Sequence, residues 1–136
     1  MSEQNAIELF KSGLNCAQAV FVAFADELGI DKETAAKISC GLGGGVGRSR
    51  EVCGAVTGAT LVIGMRYGSD KDIVYPKVQK FIEAFKEEAS SIICRELLDG
   101  TGASSGGIAE KRTQEYYKKR PCVELVALAV RILKNA

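Results

Sequence analysis

The run Gly41-Leu-Gly-Gly-Gly-Val-Gly47 places five glycines within seven residues. Regular structure does not run through such a stretch, because glycine loses more backbone freedom on ordering than any other residue. The chain is therefore divided here, with helices expected on either side and a tight connection between them. The chain continues Arg48-Ser-Arg50-Glu-Val-Cys53-Gly54, so a cysteine arrives at what reads as a helix start, just after two arginines. A thiol attacks or binds metal as the thiolate, and both a helix N-terminus and a nearby cation lower its pKa.

The flanking segments carry helical periodicity. Ala6 to Lys11 reads as a short helix stopped by Gly13. Leu14, Ala17, Phe21, Phe24 and Leu28 then recur at spacings of three and four, a helical stripe that Gly29 ends. Asp31 is the expected N-cap of a third helix reaching Cys40. After the glycine run a fourth helix spans about Glu51 to Tyr67. Its Gly54-xxx-Gly58 and Ala55-xxx-Ala59 spacings present a thin face for close packing of another helix. Gly54, Gly58 and Gly64 each cost helix stability, about 1 kcal/mol against alanine, so all three are assigned a packing or site purpose.

Pro76 is placed in the first turn of a fifth helix that turns Val78, Phe81, Ile82, Phe85 and Ala89 inward. A short turn comes next, from Ile92 to Leu98, capped by Ser90 or Ser91. Residues Gly100 to Gly107 read as a flexible loop, and Glu110 to Lys119 as a polar stretch. Pro121 opens the last helix, with Val123, Val126, Val130 and Leu133 on its apolar face. No strand signal is present. The expectation is an all-α, single-domain bundle of about five to six helices, with the glycine-rich loop before the central one.

With 136 residues, 46% of them hydrophobic, and a net charge of +1, the chain has the makeup of one ordinary globular domain. Near-neutrality and the absence of tryptophan argue against nucleic acid as a partner. The longest uncharged apolar stretch, Val52 to Met65, covers 14 residues, too few to span a bilayer, so the chain is not expected to be membrane-embedded. Its polar start lacks the pattern of a secretory signal, which makes the cytoplasm the expected location. Structural disulfides rarely persist there, so five cysteines point to reactivity, metal binding or packing. Histidine is absent. That removes Cys-His and Ser-His catalysis and every His-ligated metal.

Free cysteine is often mere core filling. Cys16 and Cys40, beside apolar stripes, fit that reading. Cys53, Cys94 and Cys122 share something more: each has a basic neighbour (Arg48 and Arg50, Arg95, and Arg120) and an expected helix start. There is no Cys-x-x-Cys, hence neither a thioredoxin-type motif nor a zinc ribbon. The glycine run ends Gly47-Arg48-Ser49 rather than Gly-Lys-Ser/Thr and comes after a helix rather than a strand, which disfavours a nucleotide loop.

As an ordered set, Gly13-Leu-Asn-Cys16-Ala-Gln-Ala, Gly41-Leu-Gly-Gly-Gly-Val-Gly-Arg48, Glu51-Val-Cys53-Gly-Ala-Val-Thr-Gly58, Gly64-Met-Arg-Tyr-Gly68 and Cys94-Arg-Glu-Leu-Leu98, with Cys122 at the last helix, resemble the small redox-active family named for its C_GCAxxG_C_C cysteine pattern. The resemblance covers nearly the whole chain. It implies a helical fold and a functional set of Cys16, Cys53, Cys94 and Cys122, leaving Cys40 as a packing residue. Members of the family often lie beside transporter genes, which implies a transporter-associated partner as one reading.

Three functions are expected. The first is thiol-disulfide exchange with an unidentified redox partner protein. Cys53 is then the attacking thiolate, its pKa depressed by Arg48 and Arg50, and Cys94 or Cys122 resolves. No cofactor is needed for that chemistry. The second is a zinc or iron-sulfur site formed by Cys16, Cys53, Cys94 and Cys122. The third is an interaction module whose cysteines merely pack. Arg48, Arg50, Arg95, Gly54 and Gly58 are the expected supporting residues.

Overall fold

The computed structural model describes residues 3–136, apart from the side chains of residues 115, 118 and 119. Every regular element among them is helical. In order these are α1 (Glu3–Lys11), α2 (Cys16–Ala23), α3 (Ala25–Leu28), α4 (Lys32–Ser39), a 3-10 turn (Cys40–Leu42), the turn α5 (Gly43–Val46), α6 (Gly54–Tyr67), α7 (Lys71–Ala89), α8 (Cys94–Leu97), α9 (Gln114–Lys119) and α10 (Cys122–Lys134).

Capping explains where several of these begin. Asn15 and Gln18 form a reciprocal capping box at the start of α2, which satisfies two backbone donors that a helix start otherwise leaves unpaired. Asp31 caps α4 by accepting from the Thr34 amide at 2.9 Å. The stripe expected as one helix from Leu14 to Leu28 is two pieces, because Phe24 leaves helical geometry at φ −100° and ψ 2°. Pro76 lies in the second turn of α7 rather than the first, since Asp70 starts that helix earlier than the proline signal suggested.

The helix expected from Glu51 begins at Gly54 instead. The preceding residues are occupied elsewhere: Val52 and Ile93 form an isolated antiparallel bridge. The Cys53 amide donates to the Ile92 carbonyl at 2.7 Å and the Cys94 amide to the Glu51 carbonyl at 2.6 Å. This clasp ties the starts of α6 and α8 together.

α2 is the buried centre, with six of its eight residues inaccessible to solvent. The thin face of α6 lies against it. A Cβ on Gly58 would stand 2.8 Å from the Ala17 carbonyl oxygen, and one on Gly54 would stand 3.1 Å from the Cys16 Cβ. Those two glycines are what allow the N-termini of α2 and α6 to meet. Gly64, by contrast, faces open space, so the packing purpose expected of it is not found.

One apolar cluster joins these helices, including Phe10 of α1, Phe21 of α2, Phe24, Phe81 and Phe85 of α7, and Val126, Val130 and Leu133 of α10. Each such side chain contributes about 1.5–3 kcal/mol on burial. Arg66 closes the end away from the cysteines, lying 5.0 Å over the Phe24 ring and pairing with Glu27 at 2.7 Å. None of the helices among the described residues is long and apolar enough to cross a membrane.

Candidate functional site

Four cysteines that lie far apart in the sequence meet at four helix starts. Cys16, Cys94 and Cys122 are the first residues of α2, α8 and α10, and Cys53 is the N-cap of α6. All four line one cavity of about 50 Å³, with Arg50, Arg112, Tyr116 and Arg120 in its wall. All are free thiols. Cys40 is not among them; it is exposed rather than packed, because the 3-10 turn that begins there carries it past the buried face of α4.

The glycine run makes this convergence possible through backbone of unusual hand. Gly44, Gly45, Val46, Gly47 and Arg48 all have positive φ, from 58° to 73°, and Arg50 comes next at 60°. A left-handed turn costs L-residues roughly 1–2 kcal/mol each, least where the residue is glycine. The strain at Val46, Arg48 and Arg50 is held by hydrogen bonds that fold the loop on itself: Arg50 N–H to the Gly44 carbonyl at 3.1 Å, and Glu51 N–H to that of Gly45 at 2.9 Å. A Cβ on Gly45 would stand 2.6 Å from the Glu51 nitrogen and 2.8 Å from the Cys94 Cβ. Only glycine fits there.

The same turn redirects the arginines. Arg48 and Arg50 do not activate Cys53. Arg48 donates to the carbonyls of Ser104, Gly106 and Ile108. Arg50 donates to the Ser104 carbonyl at 2.9 Å, to Glu110 at 2.5 Å and to the Cys94 sulfur at 3.6 Å. The segment expected as a free loop is therefore strapped to the glycine turn. Glu110 is its anchor, receiving Arg50, Arg120 at 2.7 Å and Arg48 at 3.4 Å. Partial burial alone would raise the Glu110 pKa, but Arg120 and Arg50 hold it below the ordinary carboxylate value. Arg95, expected to support Cys94, instead pairs with Glu51 at 3.1 Å on the surface.

The thiols divide accordingly. Burial pushes Cys53 up to about 12, outweighing the amides of Ala55 and Val56 that favour its thiolate. Burial also raises Cys94, with Arg50 only partly offsetting it. Cys122 goes the other way, lowered to about 7. Its first cause is a hydrogen bond from the Cys16 thiol, and Arg120, a hydrogen bond from Tyr116 and the charge of Arg50 add to it against burial. Cys16, the donor in that pair, is raised well above an ordinary thiol. The sequence expectation of a depressed Cys53 is thus corrected: the low-pKa thiol is Cys122.

Sequence reasoning did not single out Glu110, Arg112 or Tyr116, which lie in or beside the stretch read only as polar. Part of it forms α9, which Thr113 caps. Tyr116 reaches the cavity from that helix, with Arg112 5.6 Å and Arg120 4.8 Å from its ring centre. The adjacent Tyr116-Tyr117 pair in a charged run was the available signal. Among the described residues no group of three or more Cys, Asp or Glu side chains is arranged to hold a metal ion.

A family profile described as "Putative redox-active protein (C_GCAxxG_C_C)" matches residues 14–136. The chain belongs to this family. All four thiols of the cavity lie inside the matched span. An uncharacterised protein of Archaeoglobus fulgidus is 26% identical over 137 aligned positions, which cover 96% of this chain and 89% of the relative. No solved structure matches significantly. That description agrees with a cavity that gathers four free thiols.

Proposed function

We propose that this protein performs thiol-disulfide exchange with Cys122 as the attacking thiolate and Cys16 as the resolving thiol. The observation that carries the reading is the meeting of Cys16 and Cys122, the first residues of α2 and α10, in one cavity beside Tyr116 and Arg120. In keeping with that placement, the Cys122 pKa is lowered and that of Cys16 raised. The best attacking thiol has a pKa near the ambient pH, which Cys122 meets and Cys53 does not.

In the reaction, Cys122 Sγ attacks one sulfur of a substrate disulfide, forming a mixed disulfide and expelling the other sulfur as a thiolate. Cys16 then loses its proton and attacks Cys122 Sγ, expelling the second substrate sulfur. Two electrons pass to the substrate, and the protein is left with a Cys16–Cys122 disulfide. A cytoplasmic setting, where thiols are kept reduced, would regenerate the pair.

The test is to reduce the protein under anaerobic conditions, titrate it with a small disulfide, cap the remaining thiols and map the bridges by mass. The Cys16–Cys122 bridge should form first. A first bridge between any other two cysteines would refute the assignment. So would thiols protected by stoichiometric zinc or iron in the protein as purified.

A further inference from the structure

The cavity holding the thiols opens beside a much larger cleft of about 700 Å³. Asn15, Gly44, Arg50, Arg112, Tyr116 and Arg120 line both, so the two are continuous. The size lies in the range of small-molecule sites, roughly 300–1,000 Å³. The lining is electrically lopsided. Among the described residues it carries five cations, Lys11, Arg48, Arg50, Arg112 and Arg120, against the single carboxylate of Glu110. The whole chain has a net charge of only +1, so positive charge is concentrated at this mouth.

Arg112 sharpens the imbalance. Its guanidinium donates to the backbone carbonyls of Phe10 and Leu14, and it lies 4.2 Å from the centre of the Phe10 ring. Among the described residues no carboxylate is paired with it. Access is narrow as well: Cys122 is 8% exposed and lines the small cavity that adjoins the cleft, whose own cysteine is the exposed Cys40. A slim chain can reach that sulfur where a folded protein surface cannot.

We infer that the cleft admits a low-molecular-weight disulfide bearing carboxylates, whose negative charge is drawn by Lys11, Arg112 and Arg120 while one of its sulfurs meets Cys122. The inference rests on the exchange reading above and names its substrate class. The step is the one already balanced: the small disulfide gains two electrons and leaves as two thiols.

Three probes of graded charge test it: 3,3′-dithiodipropionate with two carboxylates, neutral bis(2-hydroxyethyl) disulfide, and cystamine with two ammonium groups. The rate at which each oxidises Cys122 in the reduced Cys40→Ser protein, which lacks the exposed thiol of the cleft, is divided by its rate with a free cysteine peptide at the same pH. The dianion should then lead the neutral probe by about tenfold, with the dication slowest. That lead should shrink several-fold in high salt. It should also shrink in Lys11→Gln, an exposed position whose loss leaves the fold intact, and further in Arg112→Gln.

Equal normalised rates for the three probes would overturn the inference while leaving exchange at Cys122 standing. So would a lead indifferent to both salt and Lys11→Gln, or a disulfide-bonded protein that outpaces the dianion tenfold. If no probe reacts faster with the protein than with the peptide, the exchange reading falls, and this inference with it.

Discussion

α6 and α10 are long helices that each begin at a cysteine preceded by basic residues, yet their two thiols end in opposite states. Cys53 caps α6 and is pushed up to about 12, whereas Cys122 opens α10 and is held near 7. A helix terminus contributes about 0.3–1 kcal/mol, less than one pKa unit at about 1.36 kcal/mol per unit. Burial at Cys53 exceeds that severalfold. What separates the two sites is the company each sulfur keeps. Cys122 has Cys16 and Tyr116 as donors with Arg120 nearby, while the arginines before Cys53 are turned away to residues 104–110 and to Cys94. Proximity in sequence does not make a cation a neighbour.

The largest contrast should appear in reactivity. At pH 8 the thiolate fractions of Cys122 and Cys53 differ by about four powers of ten, and the lower nucleophilicity of the more acidic thiol returns about two of them. Modification of the reduced protein by a small neutral disulfide, with peptide mapping afterwards, should therefore find Cys122 faster by on the order of 100-fold. In a Cys40→Ser background, which removes the exposed thiol, Cys122→Ser should abolish the fast phase and Cys53→Ser should leave it nearly unchanged. Comparable rates at the two cysteines would erase the distinction.

The same contrast should shape stability against pH. The Cys122 pKa is depressed below the unfolded value near 8.5, so its stabilisation, about 2 kcal/mol, is present above that value and lost as pH falls through 7. The Cys53 pKa is raised, so its stabilisation is present below 8.5 and declines as pH climbs toward 12, by roughly 3 kcal/mol at pH 11. Urea midpoints of the reduced protein should thus peak between about pH 7 and 9. Cys122→Ser should flatten the acid side of that peak, and Cys53→Ala should lessen the alkaline slope, of which the raised Cys16 and Cys94 keep a part. A profile unchanged by either substitution would contradict both assignments.

The smallest effect is expected at Arg95, the basic neighbour of Cys94 in sequence only. Its pair with Glu51 is well exposed, so Arg95→Ala should shift stability by less than about 0.5 kcal/mol. Modification of Cys94 should proceed at its former rate. A severalfold change there would mean that Arg95 senses the thiol after all.

These contrasts mark what the chain discloses on reading. Glycine stops, the Asp31 cap and the thin Gly54-Gly58 face are local signals, and local geometry obeys them. The helix starts at Cys94 and Cys122 are local in the same sense. The direction of the Arg48 and Arg50 side chains is not, because it depends on five successive left-handed residues, two of which, Val46 and Arg48, rarely adopt that hand. Tyr116 was hidden for another reason: α9 is too short for a periodic signal, and its place over Cys122 is set by the strap and by α10.

The bridge proposed between Cys16 and Cys122 joins residues far apart in the sequence, and that has a consequence during synthesis. With residues added at roughly 5–20 per second, Cys16 leaves the ribosome on the order of 10 s before its partner exists. Cys40, Cys53 and Cys94 join it one after another within that interval, all of them before Cys122. An oxidant reaching the nascent chain in that interval can close only bridges other than the proposed one. The proposed bridge is open to it only after α10 has docked.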